Sequence, residues 1–195
     1  MKRKLFFIAV IVICLSLTAY GTLAFFTAED TAHNVITTGN VDIVLVDSIK
    51  DGEKTENGWS LSGVMPGQQV TKPVSVKNTG SGEAWIRVKV TLDILGADQE
   101  ELPQTIETQS GKFDVVSYVL DTDDWQLHDG FVYYTKPVPA GKSTNSLFKD
   151  DIVQFAKQMG NEYQNCHVSI YVEAEAVQTA NNGKTVLDAK GWPNP

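Results

Sequence analysis

The chain lacks a cysteine pair that could staple it. Its two cysteines are Cys14 and Cys166, and Cys14 lies inside an N-terminal apolar run. If that run is removed, one thiol remains and no intrachain disulfide is possible. A secreted domain built on disulfides is thereby excluded. Roughly 170 residues must then fold on a hydrophobic core alone, which is enough. Positive charge is also scarce: 16 basic residues face 24 acidic ones, for a net charge of −8. Phosphate binding needs a basic surface, so nucleic acid is not an expected partner. No glycine period of the collagen kind is present, and 42% hydrophobic residues is too apolar for a disordered chain. Catalytic signatures are missing as well. There is no His-Glu-x-x-His, Gly-x-Ser-x-Gly, P-loop or dinucleotide fingerprint.

What the N-terminus does have is the order of a secretory signal. Lys2-Arg3-Lys4 precede an apolar run from Leu5 to Ala19, and Tyr20-Gly21-Thr22-Leu23-Ala24 follow. Signal peptidases take small side chains at the −3 and −1 positions. Thr22 and Ala24 meet that need for a cut before Phe25. The alternative is an uncleaved anchor, but the run is shorter than the roughly 20 residues a bilayer span prefers. A lipoprotein signal is disfavoured because Ile13, not a small residue, precedes Cys14. Cleavage removes three of the 16 basic residues and no acidic one, leaving 13 against 24, or −11. Self-assembly of so acidic a chain would have to use backbone pairing and apolar burial, with charge opposing it.

The remainder reads as strands. Ala84, Ile86, Val88, Val90, Leu92 and Ile94 alternate with Trp85, Arg87, Lys89, Thr91 and Asp93, which predicts one buried and one wet face. Val168, Ile170, Val172, Ala174 and Ala176 alternate in the same way with His167, Ser169, Tyr171, Glu173 and Glu175. Shorter candidates are Val41–Val46, Val70–Val76 and Phe113–Leu120. Trp125–His128 and Phe131–Tyr134 read as a hairpin across Asp129-Gly130. Two readings of Ser146–Gly160 stand side by side: a helix ending at Gly160, or a strand over Leu147–Val153 followed by a loop. The organisation expected is a signal peptide at 1–24, an N-terminal extension at 25–40, a β-sandwich at 41–180 and a loosely ordered polar tail at 181–195. The fold class is all-β, an antiparallel jelly-roll-like sandwich with little helix.

Reactive constellations are thin. His33, His128 and His167 share no metal-ligand spacing, and His167 on a polar strand face reads as a solvated histidine. Asp121-Thr122-Asp123-Asp124 has clustered carboxylates but neither a loop glycine nor a distant bidentate glutamate, so it reads as a solvated acidic turn. Cys166 and His167 are adjacent in a strand and point to opposite faces, which favours a buried structural thiol over a nucleophile–base pair. No catalytic residue, metal ligand or cofactor is assigned. The apolar new terminus, Phe25-Phe26, suits addition as a strand to a neighbour's sheet edge. Folding back of Phe25 and Phe26 onto their own sandwich is the plainer alternative.

Gly21-Thr22-Leu23-Ala24-Phe25-Phe26-Thr27, with Thr37-Thr38-Gly39-Asn40-Val41-Asp42-Ile43 downstream, resembles the TasA and camelysin family of Gram-positive bacteria. Leu61-Ser62-Gly63-Val64-Met65-Pro66-Gly67-Gln68, Val74-Ser75-Val76-Lys77-Asn78-Thr79-Gly80 and the strand Val168–Val177 are similar to later parts of that family. The likeness does not extend through Leu95–Lys112. The resemblance implies export through a signal peptidase of the SipW type, with membrane contact only through the signal peptide. It implies a jelly-roll domain secreted to the matrix or cell surface that assembles with itself into biofilm fibres. In such fibres the N-terminal segment of one subunit completes the sheet of the next, so the donor here would start at Phe25 and Phe26. The family also carries a metallopeptidase label, which makes a secreted camelysin-like metallopeptidase one alternative function. A monomeric cell-surface adhesin is another. No Leu-Pro-x-Thr-Gly sorting motif closes the sequence.

Overall fold

The two longest alternating stretches pair with each other along their whole length. β6 (Ala84–Leu95) and β13 (His167–Gln178) run antiparallel in unbroken register, from His167 opposite Leu95 to Gln178 opposite Ala84. The architecture is that of a computed structural model, which describes residues 41–55 and 58–193. The readings placed on residues 1–40, namely the signal peptide, Thr22, Ala24, the donor candidates Phe25 and Phe26, and His33, lie outside the described residues.

Around that central pair the first sheet adds β10 (Trp125–His128) and β11 (Phe131–Tyr134) on one side. On the other it adds β3 (Gly58–Ser62) and β2 (Glu53–Thr55), giving the order β10-β11-β6-β13-β3-β2. The β10–β11 hairpin turns on Asp129 and Gly130, with φ of 47° and 79°. Two successive positive φ values are what a two-residue turn of matching twist requires.

The second layer is built from β1 (Ile43–Asp47), β4 (Gln69–Thr71), β5 (Val74–Asn78), β9 (Val116–Leu120) and β12 (Phe148–Phe155). β1 pairs with β5, and β12 pairs with β4 on one side and β9 on the other, all antiparallel. A small hairpin, β7 (Thr105–Thr108) with β8 (Gly111–Asp114), forms its own two-stranded sheet and packs Ile106 against the core. Alternation sets what lies between the sheets. Ile43, Val74 and Val76 of one layer and Ile86, Val88, Ile170 and Ala174 of the other join one buried cluster, with Trp125, Phe148 and Phe155 among its largest members. The result is an all-β sandwich. Among the described residues helix is confined to two three-residue 3-10 turns, η1 (Asn161–Tyr163) and η2 (Val186–Asp188).

Several expectations are sharpened or corrected. Over Ser146–Gly160 the strand reading holds, as β12. Helical spacing failed there because Asp150 and Asp151 take left-handed φ of 55° and 57° and bulge the strand between Phe148 and Val153. The stretch Val70–Val76 is interrupted at Lys72-Pro73, and Phe113–Leu120 divides into β8 and β9. The wet face predicted for β6 is wet only in part, since Trp85 and Arg87 are buried. What covers them is the chain end expected to be loose. Val186 and Ala189 are buried in a cluster with Trp85, Tyr133 and Val177, and Trp192 packs against it. The guanidinium of Arg87 lies 3.8 Å from the Phe131 ring centroid and 4.7 Å from that of Trp192. It donates to Glu175 at 2.6 Å and to the Pro193 carbonyl at 3.1 Å. The described part of the tail is therefore a packed strap. A period-two reading could not foresee it, because the strap uses the polar phase of the strands.

Candidate functional site

The histidines and acids singled out from the sequence do not converge. His167 is exposed at the start of β13, while Cys166 beside it is fully buried and burial pushes its thiol pKa up. His128 is half-exposed at the hairpin tip, 3.2 Å from the Asp129 carboxylate. Within Asp121–Asp124 only Asp124 is buried, and its two oxygens are taken by Lys136 Nζ and Asn145 Nδ2. Those two hydrogen bonds hold its carboxyl below the usual carboxylate range. Asp124 thus fastens the 121–125 turn to the 135–145 segment. Among the described residues no three His, Cys, Asp or Glu side chains are grouped to hold a metal ion.

The distinctive feature of this face is backbone. The bonds from Thr79 N–H to Asp42 O (2.8 Å) and from Ser48 N–H to Pro73 O (3.4 Å) bracket the β1–β5 ladder and fix its phase. Alternation then aims the N–H and C=O of Val44 and Val46 at β5, and those of Ile43 and Leu45 at the other side. On that other side β1 has no ladder partner among the described residues. Among the described residues the one group there with a partner is the Asp47 carbonyl, which accepts the Trp59 indole N–H at 2.9 Å. Val44 and Val46 turn away from the core and remain 44% and 50% exposed. An edge strand with apolar side chains is a template for pairing with another strand. Other edges are blunter: β2 is three residues long and carries Glu53 and Lys54, and β10 is a four-residue hairpin arm. β9 and β10 still expose apolar side chains, Tyr118 and Val119 on the first and Leu127 on the second.

Beneath β1 lies a pair of charges that the sequence patterns alone did not single out. Lys72 is fully buried, the Asp47 side chain nearly so, and Lys72 Nζ donates to Asp47 Oδ1 at 2.5 Å. The other carboxylate oxygen, Oδ2, is buried with no hydrogen-bond partner among the described residues. Burial pushes the Asp47 carboxyl above its ordinary pKa and the Lys72 ammonium below its own, each against the pull of the partner charge. The signal was present in the alternation itself. Val70, Lys72, Val74 and Val76 share one phase, and so do Ile43, Leu45 and Asp47. A charge standing in the core phase of a strand is the mark that a partner waits opposite.

Comparison with protein-family models, with curated proteins and with solved structures found no match in any of the three.

Proposed function

We propose that this chain is an exported structural protein that assembles with copies of itself at the cell surface or in an extracellular matrix. Its receiving site is the outer side of β1, and the incoming strand is the apolar segment of a second copy that begins at Phe25-Phe26. The observation that carries this reading is the phase of the β1–β5 ladder. It leaves Ile43 and Leu45 without a strand partner among the described residues, on the strand that directly follows the 25–40 extension.

The physical case is additive and local. Each new ladder bond contributes about 1 kcal/mol net, and each buried phenylalanine about 1.5–3 kcal/mol. The acidic balance of the exported chain opposes association, so assembly should strengthen as salt screens it. The test is deletion of Phe25–Asp30, followed by electron microscopy and light scattering of the purified protein. A folded monomer is the expected product. Fibres formed by the folded truncated protein would overturn the donor assignment. A full-length chain that stays monomeric at high concentration would instead support the adhesin reading.

A further inference from the structure

The Asp47–Lys72 pair has the composition and placement of a bond-forming site. We propose that Lys72 Nζ and Asp47 Cγ condense to an amide, so that β1 is covalently clamped to the β4–β5 segment of its own chain.

Geometry carries the inference. Asp47 ends β1 and Lys72 sits in the Lys72-Pro73 break between β4 and β5, and the two side chains meet at 2.5 Å between Nζ and Oδ1. Lys72 has no exposure and the Asp47 side chain only 6%, so bulk water is kept from the junction. Among the described residues neither group has a competing side-chain partner, and Oδ2 has no hydrogen-bond partner. The lysine is held from its backbone too. Its N–H donates to the Asp151 carbonyl at 2.7 Å, which the bulge in β12 turns toward it, and Pro73 follows it. Two reactants fixed this way react as one molecule, and the translational entropy of encounter is already spent.

The direction in which burial moves each group agrees with the chemistry. A buried amine and a buried carboxyl both tend to the neutral form, and the neutral amine is the nucleophile while the neutral acid has a hydroxyl to lose. The amine lone pair adds to Asp47 Cγ, forming the Nζ–Cγ bond. The Cγ–O bond then breaks, and that oxygen leaves as water with the acid's own proton and one proton from the amine nitrogen. Oδ2, which has no partner among the described residues, is the oxygen free to depart. No oxidant or co-reactant is needed.

The product would suit an edge strand that is pulled. β1 follows directly on the N-terminal extension, so any force on that extension peels β1 from β5 first. An amide at Asp47 stops the peeling at the far end of the strand. The bond itself rests on the pair and not on the assembly reading.

Mass spectrometry of the purified full chain tests it. The expected result is an intact mass lower by one water than the sequence of the observed termini. After proteolysis, the peptide carrying Asp47 and the peptide carrying Lys72 should travel as one branched species. Asp47→Ala, and Lys72→Met with Asp47→Leu, should restore the full mass. Two separate peptides of full mass in the wild-type protein would overturn the proposal. So would a water loss confined to the Asp47 peptide, which marks cyclisation onto the Ser48 nitrogen. Because the wild-type chain decides the matter, poor folding of a variant does not. A confirmed amide in a protein that never assembles would leave the clamp standing and remove the fibre reading.

Discussion

Replacing Leu45 by proline separates the two sides of β1. The Leu45 N–H points away from β5, so the substitution removes no ladder bond within the described fold. It does remove one donor from the outer side and places the pyrrolidine ring where an incoming strand would lie. Ile43 and Leu45 together offer four outward backbone groups. The lost donor and the Leu45 C=O, which the ring keeps an incoming strand from reaching, are half of that ladder, about 2 kcal/mol of association at about 1 kcal/mol per bond. That is roughly a 30-fold weaker affinity per contact. The fold loses only part of the packing of a half-buried leucine, about 1 kcal/mol. Val44→Pro is the mirror control. Its N–H points at β5, so it should lower stability by about 1–3 kcal/mol through the lost bond and an orphaned Lys77 carbonyl. Urea unfolding reads the fold and sedimentation velocity reads assembly. Leu45→Pro should keep the fold and lose assembly. The reasoning is refuted if Leu45→Pro assembles like wild type, or if Val119→Lys on β9 stops assembly while Leu45→Pro does not.

Other consequences can be checked independently. Lys72→Met with Asp47→Leu separates a covalent clamp from a mere ion pair. Replacing a buried ion pair with apolar groups is commonly neutral or stabilising, whereas losing a cross-link between residues 25 apart should cost about 3.5 kcal/mol. Calorimetry should then show Tm lower by about 10 °C; an unchanged or higher Tm speaks for the ion pair. Asp124 titrates low in the folded state, so its stabilisation is complete above the unfolded carboxylate pKa of about 3.9 and is lost as pH falls through the lower folded value. Asp124→Asn should flatten the acid limb of a stability profile between about pH 5 and pH 1, and an identical limb would contradict the assignment. Trp192→Ala strips one face of Arg87 and thins the cover over Trp85, and should cost about 2 kcal/mol in urea unfolding. Cys166 should resist thiol reagents in the native protein and react on unfolding, as its burial requires; rapid native labelling would show the site open.

Long alternating segments were legible because burial and period two coincide in them. β6, β13 and the β10–β11 hairpin could be read from residue order, since apolar side chains at every second position line one face of an extended strand and scatter around a helix. β12 was ambiguous because the Asp150-Asp151 bulge breaks the alternation that identifies a strand. β2, β3 and β7 carry too few apolar residues for a periodic signal. The C-terminal strap escaped because its anchor is a cation between aromatic rings, a tertiary contact that hydropathy does not encode. The candidate site was half legible. The apolar terminus at Phe25-Phe26 suggested a strand donor, but no local pattern says which strand would receive it. That depends on which backbone groups the ladder leaves over. Lys72 and Asp47 were visible as charges in an apolar phase, yet their pairing depends on the β1–β5 register, which no single segment reveals.

Hydrogen exchange at the amides of Ile43 and Leu45 tests the central claim most directly. If β1 accepts a strand from another copy, both amides exchange readily in dilute monomer and become strongly protected in the assembled state, while those of Val44 and Val46 are protected in both. Equal exchange at Ile43 and Leu45 before and after assembly, or full protection already in the monomer, would contradict it.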